Sequence, residues 1–282
     1  MSYFRMDWSL AMLTPHDLIS RAGREGWPLV FDVRSPKDAA ARPRFLPAAR
    51  PANPGNPGPL KGHSKQKLVV VYCTGGCGRS EQALKALRKK GFQAKALEGG
   101  LDGWIKAGGP TVGKSMIKLR AKGAPSRWLT RERPKIDRVA VPWLIRRFLD
   151  PEAEIFYADP AKIREAARKL RATPFDIPGA TRFSHEGERC SFDYFIKHFG
   201  ICDAALDDLA TIVRGADTGR LDLAYPCAGL LAVSLGLSAL YAANDEIVLE
   251  KGMLVYDALY AWIRFASGEK HNWPKPATGK AA

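Results

Sequence analysis

The stretch VVVYCTGGCGRSEQALKAL, from Val69 to Leu87, decides the fold of the first part of this chain. Its first four residues are apolar and aromatic and predict a short buried strand, and a glycine-rich turn follows directly. After the turn, Ala83, Leu84 and Leu87 recur at helical spacing. The stretch therefore predicts a strand, a turn and a helix, which is the unit of a parallel α/β sheet.

Cys73 stands where the predicted strand ends. A cysteine in this place lies at a helix N-terminus, whose dipole and free amides favour a thiolate and a bound oxyanion. We therefore predict Cys73 as a nucleophile and Arg79 as its cationic partner. The other members of the predicted anion-binding loop are Gly75, Gly76, Cys77, Gly78 and Ser80. The alternative is a purely structural loop, because free cysteines are often small buried hydrophobes and glycines often only mark turns.

The chain is long and basic, with 282 residues, a net charge of +15 and a pI of about 9.7. Its length favours two domains. The charge favours anionic partners, which include nucleic acid, acidic lipid and small oxyanions. Five cysteines without a disulfide pattern, and an N-terminus without a signal peptide, favour a cytoplasmic location. The sequence carries no signature of an oligomeric state.

One uncharged run, Leu223 to Asn244, is long enough to cross a bilayer. It contains Pro226, two glycines and two serines, and it lacks basic flanks. We interpret it as a buried core helix and expect no membrane span.

Further strand signals flank the cysteine loop. WPLVFDV, residues 27–33, predicts a buried strand that ends near Asp32 and Arg34, which we expect to support the site. The proline-rich residues 41–66 predict an irregular, mobile loop. Ala94–Leu97 predicts another strand, followed by EGGLDGW. Strands alternating with helices at this spacing predict a small parallel sheet flanked by helices, within a first domain of residues 1–110.

The segments FDVRSP, VVYC before the glycine-rich turn, RS opening a helix, and LEGGLDGW together resemble a rhodanese domain. The resemblance implies a sulfurtransferase that requires no cofactor. Its loop cysteine, here Cys73, would attack a sulfane sulfur donor, carry a persulfide and pass the sulfur to a thiophilic acceptor. Arg79 would then be the anion clamp, and Asp32 and Arg34 would be structural partners.

This loop departs from the usual rhodanese pattern by one residue. CTGGCGR has five residues between Cys73 and Arg79, the length found in related phosphatases and arsenate reductases, and RFLPAAR replaces a Gly-His-Ile-Pro segment. A larger cradle suits phosphate, arsenate or chromate, and Cys77 could resolve an oxidised or persulfidated Cys73. A thiol-dependent oxyanion reductase or phosphatase-like enzyme is therefore an alternative.

Residues 111–124 predict a basic linker, and the strongly basic region continues to Arg147. A helix in KIDRVAVPWLIRRFLD would carry cations that could contact DNA or an oxyanion, although a solvated helix face explains them as well. The predicted basic patch consists of Arg133, Lys135, Arg138 and Arg146.

Residues 125–282 predict a mainly helical α+β domain. Short strands are expected in SRWLTR and EIFYA, and later helices over Ala204–Arg214, Tyr225–Tyr241 and Asp245–Phe265. Metal-competent side chains gather in FSHEGERCSFD, where we predict His185 and Glu188 as ligands of a possible metal ion. A hydrogen-bonded structural histidine is the alternative.

Several separated segments of this domain resemble the chromate-resistance protein ChrB family, among them RERPKIDRVAVPWLIRRFLDP, FSHEGERCSFD, IVRGADT and YDALYAW. The resemblance implies a stress-response protein linked to chromate resistance. Our leading hypothesis is such a protein with a rhodanese-like sulfurtransferase domain acting on a sulfur donor or small oxyanion. The alternative from a different class is a chromate-responsive regulator or sensor that binds DNA through its basic region.

Overall fold

The structure is a computed structural model that describes residues 11–60, 62–120, 123–179 and 182–269. Its strands are β1 (Met12–Leu13), β2 (Leu29–Asp32), β3 (Arg44–Phe45), β4 (Arg50–Pro51), β5 (Val69–Tyr72), β6 (Ala94–Leu97), β7 (Val112–Gly113), β8 (Arg127–Arg131), β9 (Glu154–Ala158) and β10 (Thr173–Pro174). Its α-helices are α1 (Pro15–Ile19), α2 (Pro36–Ala41), α3 (Gly78–Lys89), α4 (Gly100–Lys106), α5 (Asp137–Leu144), α6 (Ile163–Leu170), α7 (Ser191–Phe199), α8 (Ala204–Thr218), α9 (Cys227–Leu240) and α10 (Asp245–Ala261).

The first part of the chain forms a five-stranded parallel sheet in the order β1-β6-β5-β2-β4. Its central strands β2 and β5 are fully buried, as expected for a sheet covered on both faces. Residues of β5 alternate between two cores: Val69 and Val71 pack with the inner face of α3, whereas Val70 and Tyr72 join the core that continues into the second part. The predicted parallel sheet flanked by helices is confirmed.

The second part combines a small sheet with a helical bundle. Its three strands are parallel and lie in the order β10-β8-β9, and α5 and α7 to α10 pack around a shared aromatic core. Trp143 lies at the centre of that core, 5.5 Å from the Phe148 ring and 5.7 Å from the Tyr260 ring. The helix-rich second part predicted from the sequence is confirmed.

The uncharged run forms α9 together with the turns beside it. Cys227, Leu230, Ser234 and Ser238 are the buried residues of this helix, whereas the apolar side chains of Val233, Leu235 and Leu240 are exposed. The prediction of a buried core helix is therefore wrong for one face of α9, because only the face with the four buried residues packs on the core. Among the helices of the described residues, none combines the length and the apolar character that crossing a bilayer requires.

The proline-rich segment has more structure than the sequence predicts. It contributes β3 and β4, and its residues Leu46, Ala48 and Ala49 are buried. The buried guanidinium of Arg34 holds this segment, because its Nη1 and Nη2 atoms donate to the carbonyls of Arg42 and Arg44 at 2.8 and 2.9 Å. Arg34, which follows strand β2, therefore fixes this part of the proline-rich segment. The prediction of an irregular, mobile loop is wrong for the residues that it holds.

The predicted basic linker is also folded where the structure describes it. Strand β7 pairs antiparallel with β3, and residues 114–120 form a 3₁₀ helix. The Ala48 amide donates to the Phe148 carbonyl at 2.8 Å, which joins the two parts directly. One hydrophobic core runs through both parts.

Candidate functional site

Cys73 lies immediately after β5, and the residues that follow it wrap around its sulfur. Cys77 is the N-cap of α3, and its backbone amide donates to the Cys73 Sγ atom at 2.8 Å. The Ser80 hydroxyl lies 3.6 Å from the same sulfur and donates to the Cys77 carbonyl at 2.8 Å. Gly76 adopts a φ of +80°, which places its amide within reach of the sulfur as well. The loop therefore surrounds Cys73 with hydrogen-bond donors.

The surroundings of the loop shift the pKa values of Cys73 and Cys77 in opposite directions. Burial works against ionisation of Cys73, but hydrogen bonds from the Cys77 thiol, the Ser80 hydroxyl and the amides of Cys77 and Gly76 outweigh it and lower the pKa of Cys73. Burial and the hydrogen bond to Cys73 raise the pKa of Cys77. Of the two loop thiols, Cys73 is therefore the one that ionises first as the pH rises.

The backbone of the loop is fixed from its other side by helix α4. The Leu101 amide donates to the Cys73 carbonyl at 2.9 Å, and the Asp102 amide donates to the Thr74 carbonyl at 2.9 Å. Gly100 makes this approach possible, since a Cβ atom there would lie 2.4 Å from the Cys73 carbonyl oxygen. With its carbonyls bound to α4, the loop turns amides toward the sulfur. The segment EGGLDGW therefore fixes the backbone of the cysteine loop through these hydrogen bonds.

The sulfur is closed to solvent in this conformation. Cys73 is 1% exposed, whereas Gly75, Gly76 and Cys77 lie exposed above it. A solute reaches the Cys73 sulfur only when this cover moves. Cys77 is the exposed thiol of the loop and meets a reagent first.

Arg79 is close to the loop but is engaged elsewhere in this conformation. Its Nε atom donates to the Val33 carbonyl at 2.6 Å, at the end of β2. On the opposite side, Asp102 lies beside Gly75 and forms an ion pair with Arg42. Neither residue was among the predicted site residues. Asp102 belongs to the quoted segment EGGLDGW, but the contact of its side chain with Arg42 depends on tertiary packing that the sequence does not show.

Asp32 and Arg34 form a buried ion pair next to the sheet edge that carries the loop. The Nη2 atom of Arg34 lies 2.6 Å from Asp32 Oδ2, and its Nε atom lies 3.0 Å from both carboxylate oxygens. The guanidinium also lies over the Phe45 and Tyr72 rings. The pair therefore anchors the segment beside the loop.

The four residues of the predicted basic patch do not share one exposed face. Arg133 and Lys135 are exposed, but Arg138 is half-buried and its Nη1 atom donates to the Glu132 carbonyl at 2.8 Å. Arg146 donates through Nε to the Ala153 carbonyl at 3.2 Å. Burial lowers the pKa of both Arg138 and Arg146. Helical spacing was a poor guide here. Arg138 lies on α5, whereas Arg146 lies in the π-helical turn Ile145–Leu149 that follows it, and both long side chains fold back onto backbone carbonyls.

His185 lies among three carboxylates that come from different segments. Its Nε2 atom is 3.3 Å from Asp217 Oδ2, 3.5 Å from Asp176 Oδ1 and 3.6 Å from Asp137 Oδ2. Burial and neighbouring carboxylates raise the pKa of both Asp137 and Asp217. Asp137, His185 and Asp217 could hold a metal ion together.

The structure does not bring Glu188 to this cluster. Glu188 is exposed and lies near Arg220 in a surface depression beside Arg189. The pairing of His185 with Glu188 was inferred from closeness in sequence, whereas the carboxylates at His185 come from α5, from the turn after β10 and from the last turn of α8. Of the two predicted ligands, only His185 lies in the cluster.

Comparison with known proteins identifies both parts of the chain. Residues 14–107 match the model of the rhodanese-like domain, and residues 128–263 match the model of the ChrB C-terminal domain. The curated protein ChrB of Cupriavidus metallidurans is 35% identical over 144 residues. That match covers 51% of this chain and 42% of the relative, so the chain matches less than half of the relative's length.

Solved structures align with the first part. A protein from Bacillus halodurans is 31% identical, with 38% of this chain and 80% of that chain covered and a TM-score of 0.32. A possible tyrosine phosphatase from Rhodopseudomonas palustris is 27% identical, with 36% and 83% covered and a TM-score of 0.30. Residues 14–107 are therefore similar to a rhodanese-like domain, and residues 128–263 are similar to a ChrB C-terminal domain.

Proposed function

We propose that the protein contributes to chromate resistance and that its rhodanese-like domain is a sulfurtransferase with Cys73 as nucleophile. The observation that supports this most is the hydrogen-bonded environment of the Cys73 sulfur, whose donors lower its pKa. A thiolate at neutral pH is the reactive form in sulfur transfer. The amides that stabilise it can also bind an oxyanion.

The proposed reaction has two balanced steps. The Cys73 thiolate attacks the outer sulfur of thiosulfate, an S–S bond forms to the enzyme, and sulfite leaves with the electron pair of the broken S–S bond. A thiophilic acceptor such as cyanide then attacks the outer sulfur of the persulfide. Thiocyanate leaves, and the Cys73 thiolate is restored. Neither step requires a cofactor.

The anion formed at each step needs a stabilising partner. The loop amides of Gly76 and Cys77 already point at the sulfur. In the proposed mechanism Gly75, Gly78 and Arg79 complete the cradle once substrate displaces the cover and Arg79 leaves the Val33 carbonyl. Charge-assisted hydrogen bonds from a guanidinium suit a tetrahedral oxyanion.

Cys77 supports a second route by which the persulfide on Cys73 can be discharged. It lies in the same loop, hydrogen-bonded to Cys73, and its pKa is raised while that of Cys73 is lowered. A persulfide on Cys73 can be resolved when the Cys77 thiol attacks the inner sulfur, which forms a Cys73–Cys77 disulfide and releases hydrosulfide. An external dithiol would then be needed to reduce the disulfide.

Thiosulfate:cyanide turnover tests the proposed function. We expect thiocyanate production by the full chain, loss of at least about a hundredfold in Cys73→Ser because the thiolate is removed, and retained turnover in Cys202→Ser. Cys202 is an exposed free cysteine outside the loop and serves as the matched control. Equal rates for Cys73→Ser and the unchanged protein would refute the proposal.

A further inference from the structure

We propose that Asp137, His185 and Asp217 form a binding site for a divalent transition-metal ion in the ChrB C-terminal domain, with Asp176 beside it. The three ligand residues are far apart in sequence and lie on α5, on the loop before α7 and on α8. The fold brings one imidazole nitrogen and carboxylate oxygens together at one point. This site is independent of the cysteine loop and of the proposed sulfur transfer.

The distances are those of ligands around an ion and not those of a hydrogen-bonded histidine. A protonated imidazole that donates to a carboxylate lies about 2.7–3.2 Å from its oxygen. His185 Nε2 instead lies 3.3 to 3.6 Å from oxygens of three different carboxylates. Two ligand atoms that are each about 2.0–2.2 Å from a tetrahedral ion are roughly 3.3–3.6 Å apart. The distances from His185 Nε2 to the carboxylate oxygens therefore match the distance between two ligand atoms of one metal ion.

The arginine side chains near the cluster neutralise only some of its carboxylates. Arg131 and Arg138 both pair with Asp176, through contacts of 2.9 and 3.5 Å. Within the described residues, neither Asp137 nor Asp217 forms an ion pair with an arginine or a lysine. The side chain of Asp137 is 2% exposed and that of Asp217 is 19% exposed. Arg138 lies near enough to Asp217 to act on its charge but forms no ion pair with it, so the cost of burying the two carboxylates is only partly offset by protein cations. A bound divalent ion would offset the rest.

Outer contacts orient the proposed ligands. Asp137 accepts hydrogen bonds from the amides of Ser191 and Phe192 at 2.6 and 3.0 Å, at the start of α7. The Ser191 hydroxyl donates to Asp176 Oδ1 at 3.1 Å. Ligating carboxylates are commonly held by hydrogen bonds of this kind, which fix their direction before the ion arrives.

The donor set and its exposure define the class of ion. One imidazole with two carboxylates suits Mn²⁺, Fe²⁺ or Zn²⁺ better than a thiolate-preferring ion. The His185 side chain is 42% exposed, so an ion can enter from solvent. Three protein ligands leave at least one position for water or a small anion, as in metal sites that perform chemistry.

Mn²⁺ titration of the full chain, followed by electron paramagnetic resonance, tests this proposal. Mn²⁺ is the probe because thiols bind it poorly, so the loop cysteines do not contribute. After treatment with chelator, we expect one Mn²⁺ per chain, and at least about tenfold weaker binding in His185→Ala and in Asp217→Asn. Glu188→Gln, which changes an exposed carboxylate outside the cluster, is expected to bind as the unchanged protein does.

Thermal unfolding separates a metal site from a purely structural ion cluster. If the site binds a metal, Mn²⁺ raises the Tm of the unchanged protein, and this rise is absent in Asp217→Asn. The metal-free Asp217→Asn variant is then at least as stable as the metal-free unchanged protein, because one buried charge is gone. No Mn²⁺ binding above that of Asp217→Asn, or a metal-free Asp217→Asn with a lower Tm and no effect of Mn²⁺ on the unchanged protein, would overturn the proposal. Circular dichroism checks that both variants fold, and His185→Ala provides the test if Asp217→Asn does not.

Discussion

The two cysteines of the loop differ in acidity and in exposure. The Cys73 Sγ atom accepts a hydrogen bond from the Cys77 amide at 2.8 Å and lies 3.6 Å from the Ser80 hydroxyl, and its pKa is lowered, whereas the pKa of Cys77 is raised. The more acidic thiol is thus the buried one, and the less acidic thiol is the exposed one. Cys73 has the lowered pKa, whereas Cys77 is exposed to solvent. A reaction at Cys73 therefore depends on motion of Cys77.

The first prediction concerns the pH dependence of Cys73. Because its pKa is lowered, Cys73 remains ionised at a lower pH than an ordinary thiol, and its alkylation rate falls only as the pH drops through this lowered value. Ser80→Ala removes one stabilising hydrogen bond and is expected to move the profile to higher pH. Peptide mass spectrometry of iodoacetamide-treated protein measures the rate at Cys73, with exposed Cys202 as internal reference. A profile unchanged by Ser80→Ala would show that the hydroxyl does not tune this thiol.

The second prediction concerns the buried pair of Asp32 and Arg34. Arg34→Ala leaves Asp32 charged and buried and frees the segment that Arg34 holds, so we expect a loss of about 3–5 kcal/mol in the free energy of unfolding. Urea denaturation measures it. Arg220→Ala removes an exposed arginine paired with Asp222 and should change the stability little. Similar losses in the two variants would contradict the anchoring role.

At the scale of elements, the site depends on two helix N-termini that meet at one loop. Helix α3 supplies the donors to the Cys73 sulfur, and α4 binds the carbonyls of Cys73 and Thr74. The loop is therefore held on both sides. Its shape depends on how closely α4 can approach, which Gly100 permits.

The third prediction tests this approach. In Gly100→Ala, the new Cβ would lie 2.4 Å from the Cys73 carbonyl oxygen at a φ of +55°, so the loop must move. We expect at least about tenfold lower thiosulfate:cyanide turnover, because small displacements of a nucleophile are costly, and a higher pKa of Cys73. Gly62→Ala has a similarly positive φ of +85° with open space around it, and it should retain turnover. Equal turnover in the two variants would mean that contact with α4 does not position the loop.

The sequence predicts individual helices and strands well where adjacent residues carry the pattern. The strand, turn and helix around Cys73 follow from adjacent residues, and they are found as predicted. The end of α8 was predicted wrongly, at Arg214, because the polar residues that follow it are typical of a connection between helices. Gly215 instead lies within the helix, where a Cβ would be 2.4 Å from Cys227 Sγ. The helix continues to Thr218 and carries Asp217 to His185, which only the tertiary packing could reveal.

At the scale of the whole molecule, the two domains share a core. The Trp27 and Trp104 rings lie 6.3 Å apart in a hydrophobic cluster that also contains Trp143 and Tyr260. Sequence patterns identified two domains but not their contact, because the residues of β2 and β5 that face the second domain look like any other strand core. The chain is expected to unfold as one cooperative unit.

The fourth prediction probes this interface. Gly23 has a φ of +69°, and a Cβ there would lie 2.2 Å from the Tyr260 ring. Gly23→Ala should therefore lower the free energy of unfolding by at least about 2 kcal/mol, through backbone strain and overpacking. Gly26→Ala has a φ of +81° with nothing nearby, so it isolates the backbone contribution and should cost less. Calorimetry is expected to give a single transition for each protein. Two separate transitions in the unchanged chain would contradict a shared core.

The most direct test of the central claim is a peptide mass measurement after thiosulfate treatment of the full chain. We expect a gain of one sulfur atom on the peptide that contains Cys73, lost again after addition of cyanide, and no such gain in Cys73→Ser. Sulfur found on Cys77 or Cys202 while Cys73 remains unmodified would contradict the assignment of Cys73 as the nucleophile.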